Sequence, residues 1–265
     1  VETPLATLEF LARSENRVQV LQSLAAGPQT RDELAETTGA SQATLGRILE
    51  DFRARSWVRR EEGGYVATAT GQLLAAGVTD LLETLETEQK LRAIVPYLPT
   101  DALGFDLTHL ADATVTTPTQ TRPAAPLQRV LSRMQTAEQL TAVSHTLNEQ
   151  SLAAITEQVT GGSQQFEGLF GEGAIEALAE DVAAWATLTR LAASENTQLR
   201  VRTAGVPFAA TVDEAGVTFL LRDDDGVVRA AVETDHPAVR TWVTETVDRY
   251  RETATPFTPA SYAPE

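Results

Sequence analysis

Gln42, Thr44 and Arg47 stand two and three residues apart within a run of helical periodicity, and Arg59 and Arg60 follow close behind Trp57. An amide and a hydroxyl near a helix start can bond base edges, and arginine can read guanine or touch phosphate. This set therefore has the chemistry of duplex recognition. Arg31 and Ser41, at the starts of two short helical patterns, complete the candidate contacts, with Arg53 a further outward cation.

The elements that must position these side chains are readable from local signals. Thr30 followed by Glu33 forms a capping box, so a helix is predicted from Arg31 to about Thr38, with Gly39 ending it. Ser41 is a second N-cap. Ala43, Leu45, Ile48, Leu49 and Phe52 recur at helical spacing, which predicts a helix from Gln42 to about Arg55 with those residues inward. Gln42 and Thr44 are then the base-contact candidates. Past Trp57, Val58, Tyr65 and Val66 favour extended backbone around Gly63 and Gly64, which predicts a tight hairpin bearing Arg59 and Arg60. Helix, glycine turn, helix and basic hairpin is the order of a winged helix-turn-helix. An earlier helical pattern from Leu5 to Ala25, broken near Ser14, supplies core.

Beyond the hairpin, Thr70 is expected to cap a helix in which Leu74, Val78, Leu81 and Leu85 step by four, three and four. Such a seam serves either a dimer contact or packing between domains. A Thr/Pro-rich connection with a short strand at Val115 follows. From Pro126 helices alternate with strands: a strand over Leu140 to Thr146, a helix over Glu149 to Thr160, a strand near Gln164 to Leu169, a long helix over Gly173 to Ala193 and a strand over Gln198 to Thr203. The runs PFAATV, VTFLLRD and VVRAAVE then form a meander around DEAG and DDDG turns, and a last helix starts near Pro237. The fold class is α+β: an N-terminal winged helix-turn-helix over residues 1–75, a linker helix and connection over 76–125, an α/β domain with a mixed sheet over 126–255, and a tail over 256–265.

Composition sets the limits. A chain of 265 residues with 42% hydrophobic content can bury two modest cores. No apolar run reaches the length of a membrane span, and no charged start followed by an apolar run suggests a signal peptide, so a cytoplasmic location is expected. The absence of cysteine excludes disulfides, thiol nucleophiles and thiolate metal sites. His109, His145 and His236 are scattered in sequence without metal-ligand spacing, and neither a metal nor a cofactor is expected. The glycines at 161–162 and 171–173 lack a phosphate-loop or dinucleotide spacing. Asp223, Asp224 and Asp225 before Gly226 read as a hairpin turn rather than a calcium loop, whose other ligands are missing.

The formal charge of −16 opposes phosphate binding, but residues 1–75 hold eight arginines against ten carboxylates, a net of −2, leaving −14 for the rest. Lys90 is the sole lysine among 21 basic residues. That bias resembles proteins of salt-in halophilic archaea, where charges are screened within about 3 Å.

The ordered segments ARSENRVQVLQSL, the hairpin motif followed by TATGQLL, DATVTTPT, and FLLRDDDGVVRAAVETDHPAVRTWVTETVDRYRE span nearly the whole chain. In them the chain resembles an archaeal winged-helix regulator whose C-terminal part is similar to the middle domain of the methanogenesis and filament regulator family, akin to the effector half of TrmB-type regulators and to the phospholipase-D-like fold. The resemblance implies a dimeric, ligand-responsive transcription factor. It does not imply catalysis: phospholipase-D chemistry needs a histidine nucleophile with lysine two residues on, whereas His145 is followed by Thr146 and Leu147.

Pockets of open α/β sheets gather beyond strand C-termini, which selects Ser144, His145, Thr146 and Thr203, with Phe208 as a lining residue, for a small-molecule effector. A hydrogen-bonded structural role for His145 is the competing reading. The expected partners are double-stranded promoter DNA, a second copy of the chain and an effector, with no membrane. The alternative is a winged domain that contacts other transcription proteins and reads no DNA.

Overall fold

The computed structural model describes residues 3–262. The chain divides into two compact units, residues 1–86 and 87–265.

The first unit is a winged helix-turn-helix. Its helices are α1 (Pro4–Ala12), α2 (Glu15–Ala26), α3 (Arg31–Thr38) and α4 (Gln42–Ala54), followed by β1 (Val58–Glu61), β2 (Gly64–Ala67) and α5 (Ala69–Leu91), whose residues from 87 on belong to the second unit. The expected break at Ser14 is present, with extended backbone there separating α1 from α2. Leu21, Leu24, Leu34, Leu45, Leu49 and Phe52 are buried in one core. The residue capping α5 is Thr68, not Thr70: the Thr68 hydroxyl accepts from the Gly71 amide, while that of Thr70 donates to the Ser56 carbonyl. The leucine seam also divides. Leu74 and Val78 turn into the core, whereas Leu81 and Leu85 are exposed.

The second unit contains β3 (Thr114–Thr116), α6 (Ala125–Thr136), β4 (Gln139–Ser144), α7 (Glu149–Thr160), β5 (Gln165–Gly171), α8 (Glu172–Ala179), α9 (Val182–Ala192) and β6 (Thr197–Arg202). It closes with β7 (Ala210–Asp213), β8 (Gly216–Arg222), β9 (Val228–Thr234), α10 (Pro237–Thr253) and β10 (Thr255–Pro256). Eight strands form one mixed sheet in the order β10-β6-β5-β4-β7-β8-β9-β3. β4, β5 and β6 are parallel, and the remaining pairings are antiparallel.

Each face of the sheet is covered, as a sheet with parallel strands requires. One face packs Val143, Phe219 and Val232 against Val239, Val243 and Val247 of α10. The other packs Leu140, Phe166 and Phe170 against Val130, Ile155 and Leu188 from the α6, α7 and α9 layer. Leu91, Ile94, Leu98, Leu110 and Ala113, within the stretch read from sequence as a linker and connection, are buried in the first of these cores.

The long helix expected over Gly173 to Ala193 is two helices. Asp181 interrupts it because its carboxylate accepts from the Ala183 and Ala184 amides, capping α9 as a new start. Both expected hairpins form. Asp213 accepts from the Ala215 and Gly216 amides. Asp223 accepts from Asp225 and Val227 and holds Arg229, so it serves the turn. Among the described residues, no group of three or more His, Asp or Glu could hold a metal ion. His109 and His236, far apart in sequence, stack with ring centroids 4.5 Å apart. No helix among the described residues is long and apolar enough to cross a membrane.

Candidate nucleic-acid interface

The helix-turn-helix is fixed by hydrogen bonds within a few residues of each other. The Thr30 hydroxyl accepts from the Glu33 amide at 3.2 Å, and the Glu33 carboxylate accepts from the Thr30 amide at 2.7 Å. That amide bond, with help from the Thr30 hydroxyl, holds the Glu33 carboxyl below the usual carboxylate range. Gly39 ends α3 at φ 66°, the left-handed region that glycine enters without a Cβ penalty. Ser41 caps α4 by accepting from the Thr44 amide.

Several residues expected to face DNA are engaged inside this motif. Arg31 donates from Nη2 to the Gln42 carbonyl at 2.5 Å and lies over Gly46, where an added Cβ would sit 3.0 Å from that nitrogen. Arg31 is thus half-buried and braces α3 on α4. The Gln42 amide donates to Asp32 at 2.9 Å, and the hydroxyls of Ser41 and Thr44 meet at 3.0 Å. On the hairpin, Arg59 pairs with Glu61 at 2.6 Å. Gln42, Ser41 and Arg59 remain exposed, but each must exchange an internal partner to make an external one.

Arg47 differs. It is exposed on α4 and has no hydrogen-bond or ion-pair partner among the described residues, a state shared nearby by Arg53 and by Arg60. α4 buries Leu45, Ile48, Leu49 and Phe52, so Gln42, Ala43, Arg47 and Glu50 form its outer face, with Gly46 half-buried among them. Ala43, inward by the apolar pattern, is exposed instead, because it stands one full turn before Arg47 and shares that face. Its methyl is the kind of group that meets a thymine methyl. The four-residue spacing to Arg47 is the signal that could have found it.

The wing is held by a close backbone approach. Tyr65 exchanges two backbone bonds with Gln29, at 2.8 and 2.9 Å, and Gly64 permits this because an added Cβ would lie 2.4 Å from the Gln29 carbonyl oxygen. The β1–β2 register pairs Arg60 with Tyr65.

In the second unit the expected effector residues separate, and of Ser144, His145 and Thr146 only Ser144 lies within β4. Ser144 and Thr146 line a cavity between the sheet and helices α6 and α7. His145, between them, lines a neighbouring groove with Phe208, and Arg222 borders both spaces. Phe208 is buried and packs its ring 5.1 Å from Trp242. Thr203 is exposed in the turn after β6 and lines neither space. The residues that the sequence reading missed are Thr211, Thr218 and Arg222, which line the cavity with Ser144. Lys90, the one lysine, donates to the Ala111 carbonyl.

Residues 5–90 match the family model described as the HVO_A0261 N-terminal domain. Residues 123–253 match that of the middle domain of the methanogenesis regulatory protein FilR1. Among solved structures, TrmBL2, described as an archaeal chromatin protein with a novel mode of DNA binding, is 15% identical with a TM-score of 0.39, over 93% of this chain and 97% of that one. Nuc, a phospholipase D family member from Salmonella typhimurium, is 15% identical with a TM-score of 0.41, over 55% of this chain and 98% of its own. A MarR family protein from Mycobacterium tuberculosis is 18% identical with a TM-score of 0.30, over 36% of this chain and 86% of its own. No curated protein matches the chain.

Proposed function

We propose that this chain, which joins an HVO_A0261 N-terminal domain to a FilR1 middle domain, is a transcriptional regulator that binds promoter DNA through α4 and the wing. The observation that carries this reading is the exposed, partner-free Arg47 at the centre of the outer face of α4, with Arg53 and Arg60 equally free among the described residues. A cation that the fold does not use is available to phosphate or guanine. Gln42 and Thr44 read base edges after releasing Asp32 and Ser41, and Ala43 adds an apolar contact. Arg31 acts behind them, setting the angle of α4.

The same reading takes the protein as a dimer. Among the described residues, six of the eight exposed large hydrophobics, Leu5, Leu8, Leu73, Leu81, Leu82 and Leu85, lie on α1 and α5 of the first unit. A second copy covering them removes apolar surface from water. The second unit senses a small molecule and performs no hydrolysis, since His145 lacks the following lysine of a phospholipase-D site. The acidic charge and near absence of lysine suit work in multimolar salt.

Fluorescence anisotropy with the protein's own upstream promoter DNA, in molar KCl and with scrambled duplex as competitor, tests this. Saturable binding that resists the competitor and weakens with Arg47→Ala supports the reading. Equal affinity for promoter and scramble, unmoved by Arg47→Ala, transfers support to a winged domain that contacts proteins. The internal engagement of Gln42, Ser41 and Thr44 is the observation favouring that second reading.

A further inference from the structure

The cavity beneath α6 and α7 holds polar groups that the fold leaves without partners. Thr211 and Thr218 stand directly opposite each other in the β7–β8 register. They are 5% and 1% exposed, and neither hydroxyl has a hydrogen-bond partner. Opposed threonines can bond across a strand pair, yet these do not, and both line the cavity. Buried hydroxyls are rarely left unpaired in folded proteins because the loss relative to water is uncompensated.

Alternate residues of a strand share a face, so Thr218 and Leu220 of β8 form one wall, and Arg222, just past a register shift at Leu221, lines the cavity beside them. Arg222 is half-buried. It donates to the Gly226 carbonyl at 2.7 Å, but its Nε is buried without a partner, and no carboxylate among the described residues reaches it. Burial pulls its guanidinium below the usual arginine range, the mark of a cation missing its counter-charge. Carboxylates outnumber cations in this chain by 37 to 21, and Arg229 in the same hairpin has taken Asp223. Met134, Ala142, Phe170, Ala209 and Leu220 contribute apolar lining, and Ser144, Thr146, Asn148 and Ser151 contribute further polar groups.

We infer that this cavity binds a small hydroxycarboxylate, its carboxylate against Arg222 and its hydroxyl on Thr211 and Thr218. The inference deepens the sensing role proposed above and rests on it. A volume of about 40 Å³ accepts about three waters, or roughly 90 Å³ of liquid, which suits a chain of about four carbons.

Calorimetric titration of the full chain at fixed KCl with 4-hydroxybutyrate, butyrate and 1,4-butanediol tests it. The three probes share length and differ only in the end groups. Saturable binding of 4-hydroxybutyrate at least about tenfold tighter than either analogue is expected, each missing end group leaving a buried partner unpaired. The near-isosteric Thr218→Val should erase the advantage over butyrate, and Arg222→Met the advantage over the diol. No saturable heat from 4-hydroxybutyrate, or equal affinity for all three, overturns the inference, and this comparison needs no variant to fold. Promoter anisotropy with and without 4-hydroxybutyrate separates the two readings. Binding without any change in DNA affinity keeps the ligand site and removes its sensing role, whereas failure to bind leaves the DNA reading intact.

Discussion

The two units differ in where their unpaired arginines lie. In the second unit Arg129, Arg133, Arg229 and Arg251 each hold a carboxylate: Glu233, Asp213, Asp223 and Glu167. In the first unit Arg47, Arg53 and Arg60 hold nothing among the described residues, although Glu50, Glu61 and Glu62 are close in sequence. The contrast is one of placement. The first unit pairs Arg13, Arg17 and Arg59 with Glu9, Asp51 and Glu61, and the second leaves Arg122, Arg190 and Arg200 without a side-chain partner among the described residues. Those three are scattered over a connection, α9 and β6, whereas the free cations of the first unit gather on one helix and the hairpin after it, which marks where an outside anion is expected. Net charge alone hides this, because the sum over 265 residues does not distinguish a structural arginine from a spare one.

The contrast can be broken at its strongest point first. Arg133→Ala removes the cation from the nearly buried Asp213 carboxylate, leaving it only the Ala215 and Gly216 amides, and should cost about 3 kcal/mol of stability in denaturant melts. DNA affinity of the folded fraction should not change. Arg47→Ala should do the reverse, lowering promoter affinity by about 1–3 kcal/mol in anisotropy while leaving the melt within about 0.5 kcal/mol. Ser41→Ala removes the α4 cap, and a stability loss of about 1 kcal/mol is expected with a matching fall in DNA affinity. Arg59→Ala sharpens the comparison from the other side: because Glu61 already holds Arg59, its effect on DNA affinity should be under about 1 kcal/mol and smaller than that of Arg60→Ala.

The smallest effect is in acid. The Glu33 carboxyl titrates below its ordinary value in the folded chain, so its capping contribution is present above about pH 4.5 and is lost as the pH falls through the lowered value. Glu33→Gln should flatten the acid limb of a melting-temperature profile and leave the neutral limb nearly unchanged.

How much is legible in the sequence follows from the range of the interactions. The helix-turn-helix can be read because Thr30 with Glu33, Gly39, and Ser41 with Thr44 act over three residues or fewer. The outer face of α4 is misread at Ala43, since composition marks alanine as apolar while only the helical phase set by Leu45, Ile48 and Leu49 decides its side. Asp181 is legible as a cap but is easily overlooked within an apolar run. The strand-end rule finds Ser144 and Thr146 but cannot separate them from His145, because His145 and Thr146 lie past the end of β4, where no strand periodicity sets the direction of a side chain. Pairs such as Arg133 with Asp213, or His109 stacked on His236, exist only after the sheet assembles, and nothing local announces them. The Thr211 and Thr218 hydroxyls belong to the same class: each is an ordinary strand residue until the β7–β8 register sets them face to face.

The most direct test of the central claim is the salt dependence of promoter affinity for the unaltered chain and for a variant carrying Arg47→Gln, Arg53→Gln and Arg60→Gln. If the three unpaired arginines each neutralise a phosphate, the slope of log K against log [KCl] should become shallower by about 2.7, roughly 0.9 for each arginine replaced. An unchanged slope, with both proteins folded, would contradict the account and assign the free arginines to solvent.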